Sequence, residues 1–174
     1  KGWIRMTSPG HCRLILTRHA KSDWDDPSVS DHDRPLNARG RRSARALGDW
    51  LAGRGYDPEE VLCSSSRRTA ETWDCAAEAV FETLPVLRIE PALYHADPET
   101  MLRVLRTATA PTVMMIGHNP GIAAFAAMLP SRVPMDPQFR SYPTAATLVL
   151  DFQTGNWAEV GAGLGSVRDF VRLD

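Results

Sequence analysis

Two histidines and three arginines stand out in this sequence because each lies at or just after the end of a short apolar run. Arg18 and His19 follow the first run, Arg67 and Arg68 follow the second, and His118 follows the clearest one. Neutral imidazole can act as a nucleophile near neutral pH, since its reference pKa is about 6.5. Arginine offers phosphoryl oxygens a planar fork of hydrogen-bond donors. These residue types predict phosphoryl chemistry, in which one histidine attacks phosphorus and the other donates a hydrogen bond to the equatorial oxygens.

Apolar runs and amphipathic stretches alternate along the chain and predict the framework that positions these residues. Strands are predicted at residues 13–17, 61–65, 86–89 and 112–116, and helices at residues 37–53, 68–81, 98–107 and 119–129. The run at 112–116 is apolar without alternation, which is typical of a central strand covered on both faces. The sequence therefore predicts an α/β fold, a single-domain three-layer sandwich with a mainly parallel central sheet and helices on both faces.

In such a sheet, ligands bind where the carboxyl ends of the strands meet. Because three predicted strands end in the histidines and arginines named above, we expect these side chains to converge on one crevice. Asn119 and Pro120 predict the start of a helix, as an N-cap followed by proline at the first helical position. The free N–H groups at that helix start would add positive potential, so the crevice favours an anionic ligand.

Three further segments lack helical periodicity. Residues 19–36 and residues 130–143 are predicted to be long loops, and loops of such length within a compact domain are usually functional or disordered. Residues 145–152 and 157–160, joined by Thr154-Gly155-Asn156, predict a closing β-hairpin. A nucleotide-binding turn at residues 161–165 is rejected because its glycine spacing is wrong and too little chain follows it.

The composition is that of an ordinary globular protein and limits the classes of partner. Among 174 residues, 20 Lys and Arg nearly balance 21 Asp and Glu, for a net charge of -1. That balance argues against a nucleic acid or an anionic membrane as the main partner. The three cysteines, Cys12, Cys63 and Cys75, form no CxxC pair, so we expect neither a disulfide framework nor a zinc site.

No repeat, low-complexity tract or linker divides the chain, so we predict one domain over residues 11–174. Residues 1–10 are expected to be either an added remnant or a flexible N-terminus, because the first residues lack the apolar core of a secretory signal. With reduced cysteines and no apolar run near the roughly 18 residues that span a bilayer, the expected location is cytoplasmic.

Each candidate residue also has a purely structural interpretation. A lone histidine at a strand end is more often a structural residue than a nucleophile, and Arg67 and Arg68 could simply begin a helix. Positive charge at a helix start interacts unfavourably with the helix dipole, however, and a nearby anion would offset this cost. His11, His32 and His95 have no comparable context, and we predict no catalytic role for them.

Four motifs, taken in order, resemble the histidine phosphatase superfamily, which includes the phosphoglycerate mutases. The motifs are LTRHAKS at residues 16–22, DRPL at 33–36 followed by Arg39-Gly40, SSSRRTAET at 64–72 and IGHNPG at 116–121. The closest resemblance is to the small branch of SixA-type phosphohistidine phosphatases, and it extends over about residues 13–164. Any one motif alone would be weak evidence, whereas the ordered set is quite specific.

The resemblance implies a role for each of four residues. His19 corresponds to the nucleophile that becomes phosphorylated, with Arg18 beside it, and His118 corresponds to the second active-site histidine. Arg34, in the Arg-Pro-Leu element, resembles a further anion contact of the small branch. Because arginines and imidazoles supply the positive charge that Mg²⁺ provides in other phosphoryl-transfer sites, we expect neither a metal nor another cofactor.

The resemblance also distinguishes the two adjacent arginines. In the pattern Ser-x-x-x-Arg-x-x-x-Thr, the second phosphate-binding arginine falls on Arg68, because Ser64 and Thr72 flank it at four residues on each side. Arg67 is the neighbour of that position. We therefore expect Arg68, together with Arg18, Arg34 and His118, to bind the phosphoryl group.

The chain departs from the family pattern at two places. The superfamily usually has Gly after the nucleophilic histidine, and Ala20 stands there, so its methyl group is expected to crowd the phosphate slightly. Larger members carry a Glu that protonates the leaving oxygen, and no residue matches that motif. Asp97 and Glu99 are the nearby candidates, and the acid is left unassigned.

The resemblance implies a metal-independent phosphatase with a covalent phosphohistidine intermediate on His19. The lack of an assigned acid and of a large cap favours phosphohistidine on a partner protein, such as a phosphocarrier or a histidine phosphotransfer domain, because an imidazole leaves more easily than an alkoxide. A small phosphorylated metabolite is the alternative substrate. A phosphate-binding module without turnover is the non-enzymatic alternative, against which the presence of both histidines and both arginines argues.

Overall fold

Six strands and four α-helices make up the architecture of residues 10–173, the part of the chain that the computed structural model describes. The strands are β1 (Cys12–Arg18), β2 (Glu60–Ser64), β3 (Val86–Glu90), β4 (Thr112–Gly117), β5 (Thr147–Phe152) and β6 (Ser166–Val171). The helices are α1 (Ala38–Arg54), α2 (Arg67–Ala76), α3 (Pro98–Leu105) and α4 (Gly121–Met128). Apart from Gly10, the extension expected over residues 1–10 lies outside the described residues. No helix in the described part is long and apolar enough to cross a bilayer.

All six strands join one sheet, in the order β3-β2-β4-β1-β5-β6. The first four strands in this order are parallel to one another, whereas β5 and β6 are added antiparallel at one edge. The carboxyl ends of β1, β2 and β4 therefore lie side by side. This arrangement confirms the predicted mainly parallel sheet and the edge at which the candidate residues were expected to meet.

Side chains that alternate along β1 are buried on opposite faces of the sheet. Leu14 and Leu16 belong to the apolar cluster that includes residues of α3 and α4. Ile15, between them, belongs to the cluster that includes residues of α1 and α2. Each side chain of this size contributes roughly 1.5–3 kcal/mol when fully buried. Because both faces are covered, the strand needs no polar alternation, and the predicted three-layer sandwich is confirmed.

Two helices begin with the caps that their sequences supply. The side chain of Asn37 accepts a hydrogen bond from the backbone of Gly40 at 2.8 Å, as predicted for the start of α1. Ser66 caps α2 by accepting from the backbone of Thr69 at 3.3 Å. The predicted end of α2 is wrong, since the helix stops at Ala76 rather than near Phe81. The chain turns back after Ala76, and Phe81 stacks on Trp73 with ring centroids 6.3 Å apart.

The predicted closing hairpin is wrong in its second strand. β5 pairs with Ser166–Val171, whereas Trp157–Glu159 forms a short 3-10 helix. Trp157 is buried in the cluster beside α3 and α4, where its indole N–H donates to the carbonyl of Ala110 at 2.7 Å. Burial of this large side chain and its hydrogen bond outweigh the local β-propensity.

The three cysteines, Cys12, Cys63 and Cys75, are free and buried.

Candidate active site

His19 lies one residue beyond the end of β1, with its backbone held by the neighbouring strand. Its N–H donates to the carbonyl of Gly117, the last residue of β4, at 3.1 Å. The ring Nδ1 lies 2.7 Å from the carbonyl oxygen of Ala20. A carbonyl oxygen can only accept, so Nδ1 carries the proton and donates it. The lone pair of the neutral ring is therefore on Nε2, which is the atom able to attack phosphorus.

The loop after His19 is fixed by α1 and α2. The backbone N–H of Ala20 donates to the hydroxyl of Thr72 at 3.0 Å, and that hydroxyl donates to the carbonyl of Arg68 at 2.7 Å. A Cβ on Gly40 would lie 2.1 Å from the carbonyl oxygen of Lys21, so only glycine lets α1 approach this closely. The Ala20 side chain belongs to a small buried apolar cluster, which accommodates the methyl that the family pattern lacks.

His118, just after β4, is the second ring of the site. Its centroid lies 5.3 Å from that of His19. Its Nε2 lies 2.8 Å from the hydroxyl of Ser64, and its Nδ1 lies 3.3 Å from Nη2 of Arg68. Arginine can only donate, so Nδ1 accepts and the Nε2 proton is donated to Ser64. The predicted donor role toward a phosphoryl group thus requires His118 to gain a proton on Nδ1.

The two adjacent arginines differ sharply in their surroundings. Arg68 is 3% exposed and donates to the backbone carbonyl of Asp31 at 2.6 Å and to its carboxylate at 3.2 Å. Arg67 is exposed and pairs with Glu71, four residues further along α2, at 3.5 Å. Arg68 is therefore the member of the pair that lies beside the two histidines.

Arg18, which is half-buried, and Arg34, which is buried, complete a set of three arginines. Arg18 donates to the carbonyl of Tyr142 at 3.2 Å, and Arg34 donates to the hydroxyl of Ser22. The Nε atoms of Arg18, Arg34 and Arg68 are buried and have no hydrogen-bond partner. A buried donor without a partner is costly, and three of them around one histidine fit a bound anion.

Asp31 contacts two of these arginines from the other side, and no motif in the sequence singles it out. Its carboxylate accepts from the Tyr94 hydroxyl, from Arg34 at 3.0 Å and from Arg68 at 3.2 Å. The Tyr94 hydrogen bond and the two arginines hold the pKa of Asp31 well below its usual range. The only available signal was its location in the long loop predicted to be functional.

His95, for which we predicted no catalytic context, lies beside the site. Its ring stacks on Tyr94 with centroids 4.0 Å apart, and it lies 5.7 Å from the ring of His118. The segment that carries it packs on the start of α4, where a Cβ on Gly121 would lie 1.8 Å from the carbonyl oxygen of Ala96. No local pattern predicts this contact, since residues 96 and 121 are far apart in the sequence.

Burial sets the protonation state of the two central histidines. The pKa of His19 is lowered to about 3, chiefly by burial and further by Arg18 and Arg68. The pKa of His118 is lowered to about 3 by burial, by His19 and by Arg68. Both rings are therefore neutral at pH 7, which is the state that a nucleophilic imidazole requires.

The predicted N-cap at Asn119 is wrong. α4 begins at Gly121, and no side chain caps it. The Asn119 amide instead donates to the carbonyls of Ser141 and Tyr142, at 2.8 and 3.2 Å. Tyr142 also accepts from Arg18, so these hydrogen bonds tie the loop at residues 130–143 to the site.

Neither carboxylate near the β3–α3 connection fits the missing acid. Asp97 caps α3 by accepting from the backbone of Thr100 at 2.8 Å, and hydrogen bonds from Thr100 lower its pKa. Glu99 is exposed in the first turn of the same helix. Within residues 10–173, no group of three or more His, Cys, Asp or Glu side chains is arranged to hold a metal ion.

Comparison with known proteins agrees with this geometry. Residues 14–93 match the family model of the histidine phosphatase superfamily (branch 1). A protein of Mycobacterium tuberculosis (strain H37Rv), itself uncharacterized, is 32% identical over 160 residues, covering 88% of this chain and 97% of that protein. The chain belongs to the histidine phosphatase superfamily. An uncharacterized chloroplastic protein of Arabidopsis thaliana is 35% identical over 127 residues, which cover 67% of this chain and 58% of that protein.

Within the histidine phosphatase superfamily, this chain is of the SixA type. It is 27% identical to the phosphohistidine phosphatase SixA of Escherichia coli (strain K12) over 150 residues, covering 83% of this chain and 88% of that protein. A candidate SixA of Nakamurella multipartita superposes with a TM-score of 0.76 and 27% identity, covering 95% and 99% of the two chains. The chain is accordingly a phosphatase. A mycobacterial glucosyl-3-phosphoglycerate phosphatase shares the fold alone, at 17% identity and a TM-score of 0.59, covering 91% and 97%.

Proposed function

We propose that this phosphatase removes phosphate from phosphohistidine on a partner protein, through a transient phosphoryl group on Nε2 of His19. The observation that carries the catalytic part is the hydrogen bond from Nδ1 of His19 to the carbonyl of Ala20 at 2.7 Å. It fixes the ring in one tautomer and leaves Nε2 free. The low pKa of about 3 keeps that atom unprotonated at physiological pH.

Three arginines bind the phosphoryl oxygens in this proposal. The unpartnered Nε atoms of Arg18, Arg34 and Arg68 are the donors that a phosphoryl group would satisfy. All three positive charges lie near enough to His19 to lower its pKa. The same charges stabilise the negative charge that builds up on the equatorial oxygens during transfer.

His118 assists by donating from Nδ1 to a phosphoryl oxygen. In the neutral ring this atom accepts from Arg68 at 3.3 Å. A phosphoryl dianion between the two side chains would turn Arg68 toward the new oxygens and would favour protonation of His118. Ser64, at 2.8 Å from Nε2, keeps the ring in place throughout.

The choice of phosphohistidine as substrate rests on the leaving group. A phosphorylated imidazole leaves as a neutral ring when its other nitrogen carries a proton, whereas an alkoxide needs a positioned acid. Asp97 is committed to capping α3, and the carboxylate of Asp31 is held ionised by its donors. Neither is suited to protonate an alkoxide, which favours a nitrogen leaving group.

A small phosphorylated metabolite is the second candidate, and one observation favours it. A cleft of about 460 Å³ opens beside the site between His95 and the start of α4, with Asn119, Pro120 and Gly121 in its wall. A cleft of this size lies within the range that small ligands occupy.

A cytoplasmic location and a metal-independent mechanism are further parts of the proposed function.

A direct competition tests the substrate. A phosphorylated histidine phosphotransfer domain and a sugar phosphate are offered together, and the release of phosphate from each is followed. We expect kcat/KM for the protein substrate to exceed that for the sugar phosphate by at least about 100-fold, or roughly 2.7 kcal/mol. His19→Ala controls for contaminating phosphatases. Equal or better turnover of the sugar phosphate would reject the protein substrate and support the metabolite.

A further inference from the structure

His95 forms a carboxylate–imidazole pair with Asp31 at the open side of the site. Its Nε2 lies 3.3 Å from Oδ2 of Asp31, and its side chain is 57% exposed. His118 lies next to both other rings, with centroids 5.3 Å from His19 and 5.7 Å from His95. His95 is thus the histidine of this cluster that can exchange protons directly with water.

The pairing decides which nitrogen of His95 is available. Donors around Asp31 keep its carboxylate ionised, so it acts only as an acceptor. The proton of the neutral His95 ring therefore lies on Nε2, and Nδ1 carries the lone pair. The same carboxylate stabilises the imidazolium that forms when Nδ1 takes up a second proton, as in carboxylate–histidine pairs of hydrolases.

The backbone holds this ring in an uncommon conformation. His95 has φ of 53°, in the left-handed region that favours glycine. Contact of Ala96 with Gly121 and stacking of the ring on Tyr94 fix the segment on both sides. A non-glycine residue retained at such an angle beside a reactive centre is often functional.

We propose that His95 is the general base that activates the water in the second half of the reaction, an inference that rests on the proposed phosphorylation of His19. The water oxygen forms a bond to phosphorus while the bond from phosphorus to Nε2 of His19 breaks. The electron pair of that bond returns to Nε2, and His19 leaves as a neutral ring because Nδ1 keeps the proton that it donates to the carbonyl of Ala20. The proton lost by the water moves to Nδ1 of His95, and inorganic phosphate departs.

The test uses nitrophenyl phosphate, whose activated leaving group needs no acid. Release of nitrophenolate in a rapid-mixing experiment then reports phosphorylation of His19 as a burst and hydrolysis of the phosphoenzyme as the steady state. His95→Gln and His95→Gly are compared with the wild type. The glycine variant suits the backbone at φ of 53° and so preserves the fold.

His32→Gln is the matched control. His32 lies on the same surface, with its ring 4.9 Å from that of Tyr94, but its Nε2 contacts the hydroxyl of Ser65 at 3.0 Å. We expect this variant to behave as the wild type in both phases.

For both His95 variants we expect a full burst followed by a steady state slowed roughly 100-fold, the scale of one general base. Free imidazole should restore the slow phase of His95→Gly, with the phosphate recovered in inorganic form. Equal slowing of both phases, an unchanged steady state or no response to imidazole would each overturn the role of His95. Failure of the wild type to form any phosphoenzyme would instead reject the proposed function.

Discussion

The two sides of the active site are built in different ways. On the sheet side, His19 and His118 follow directly after strands and are nearly completely buried. On the solvent side, Asp31, Tyr94 and His95 come from connecting segments and are at least partly exposed. The sheet thus fixes the groups that we propose bind and attack phosphorus, whereas the connections supply the groups that we propose orient them and exchange protons with water.

The largest effect is expected from removal of His19, the proposed nucleophile on the sheet side. We expect His19→Ala to lower kcat by several orders of magnitude, since other members of the site cannot replace a covalent nucleophile. The fold should persist, because the ring of His19 hydrogen-bonds to the adjacent residue, Ala20, and the backbone hydrogen bond to Gly117 is kept. Alkaline-quenched phosphoenzyme, analysed for phosphohistidine, checks the assignment. Substantial activity of the variant, or phosphate trapped on His118, would contradict it.

The adjacent arginines offer a matched pair on one helix. Arg68→Ala should cost roughly 2–4 kcal/mol of transition-state stabilisation, the scale of one preorganised electrostatic contact. Arg67→Ala should change kcat/KM much less, because Arg67 is exposed and pairs with Glu71 of the same helix. Steady-state kinetics of the two variants make the measurement. The reverse ranking would show that Arg67 is the phosphate ligand.

The pH dependence of stability should distinguish the buried histidines from the exposed connections. The folded-state pKa values of His19 and His118 are about 3, below the unfolded value of about 6.5. The unfolded chain therefore binds more protons as pH falls below that value, and stability decreases toward about pH 3. We expect a loss on the order of 1–2 kcal/mol per histidine between pH 7 and about pH 5.

Denaturant unfolding at several pH values measures this loss. His118→Gln keeps an amide beside Ser64 but removes one titrating ring, so its free energy of unfolding should vary less steeply with pH. A slope as steep as that of the wild type would show that His118 is not responsible. Carboxylates such as Asp31 act in a lower window, since their stabilising effect is lost only below their unfolded pKa of about 4.

The smallest expected effect concerns divalent cations. The guanidinium groups of Arg18, Arg34 and Arg68 supply the positive charge of the site, so excess chelator should leave kcat unchanged. Initial rates with and without chelator, in metal-free buffer, make the comparison. Loss of activity that a divalent ion restores would reject the metal-independent mechanism.

The sheet side could be predicted from the sequence because its information is local. A strand, its last residues and the turn that follows are contiguous, so LTRHAKS and IGHNPG place reactive residues at strand ends without knowledge of the whole fold. The parallel order of β2, β4 and β1 then brings them together. The non-alternating apolar runs predicted burial on both faces for the same reason.

The solvent side could not be predicted, because its contacts join distant parts of the chain. Asp31 and His95 meet only in the folded chain, because the 3-10 helix of residues 31–33 and the segment after β3 are far apart in the sequence. The second strand of the closing hairpin was misplaced for a similar reason. Trp157 has high β-propensity, but its side chain is buried in the apolar cluster that includes residues of α3 and α4.

In the proposed mechanism, the carbonyl of Ala20 also determines which isomer of phosphohistidine His19 can form. Phosphohistidine exists with the phosphoryl group on either ring nitrogen, and the two isomers differ in shape. With Nδ1 of His19 engaged at 2.7 Å, phosphorylation there would require the ring to flip and to give up its hydrogen bond. We therefore expect a single backbone oxygen to impose regioselectivity on the phosphorylation of His19, and a substitution of the Ala20 side chain to leave that selectivity in place.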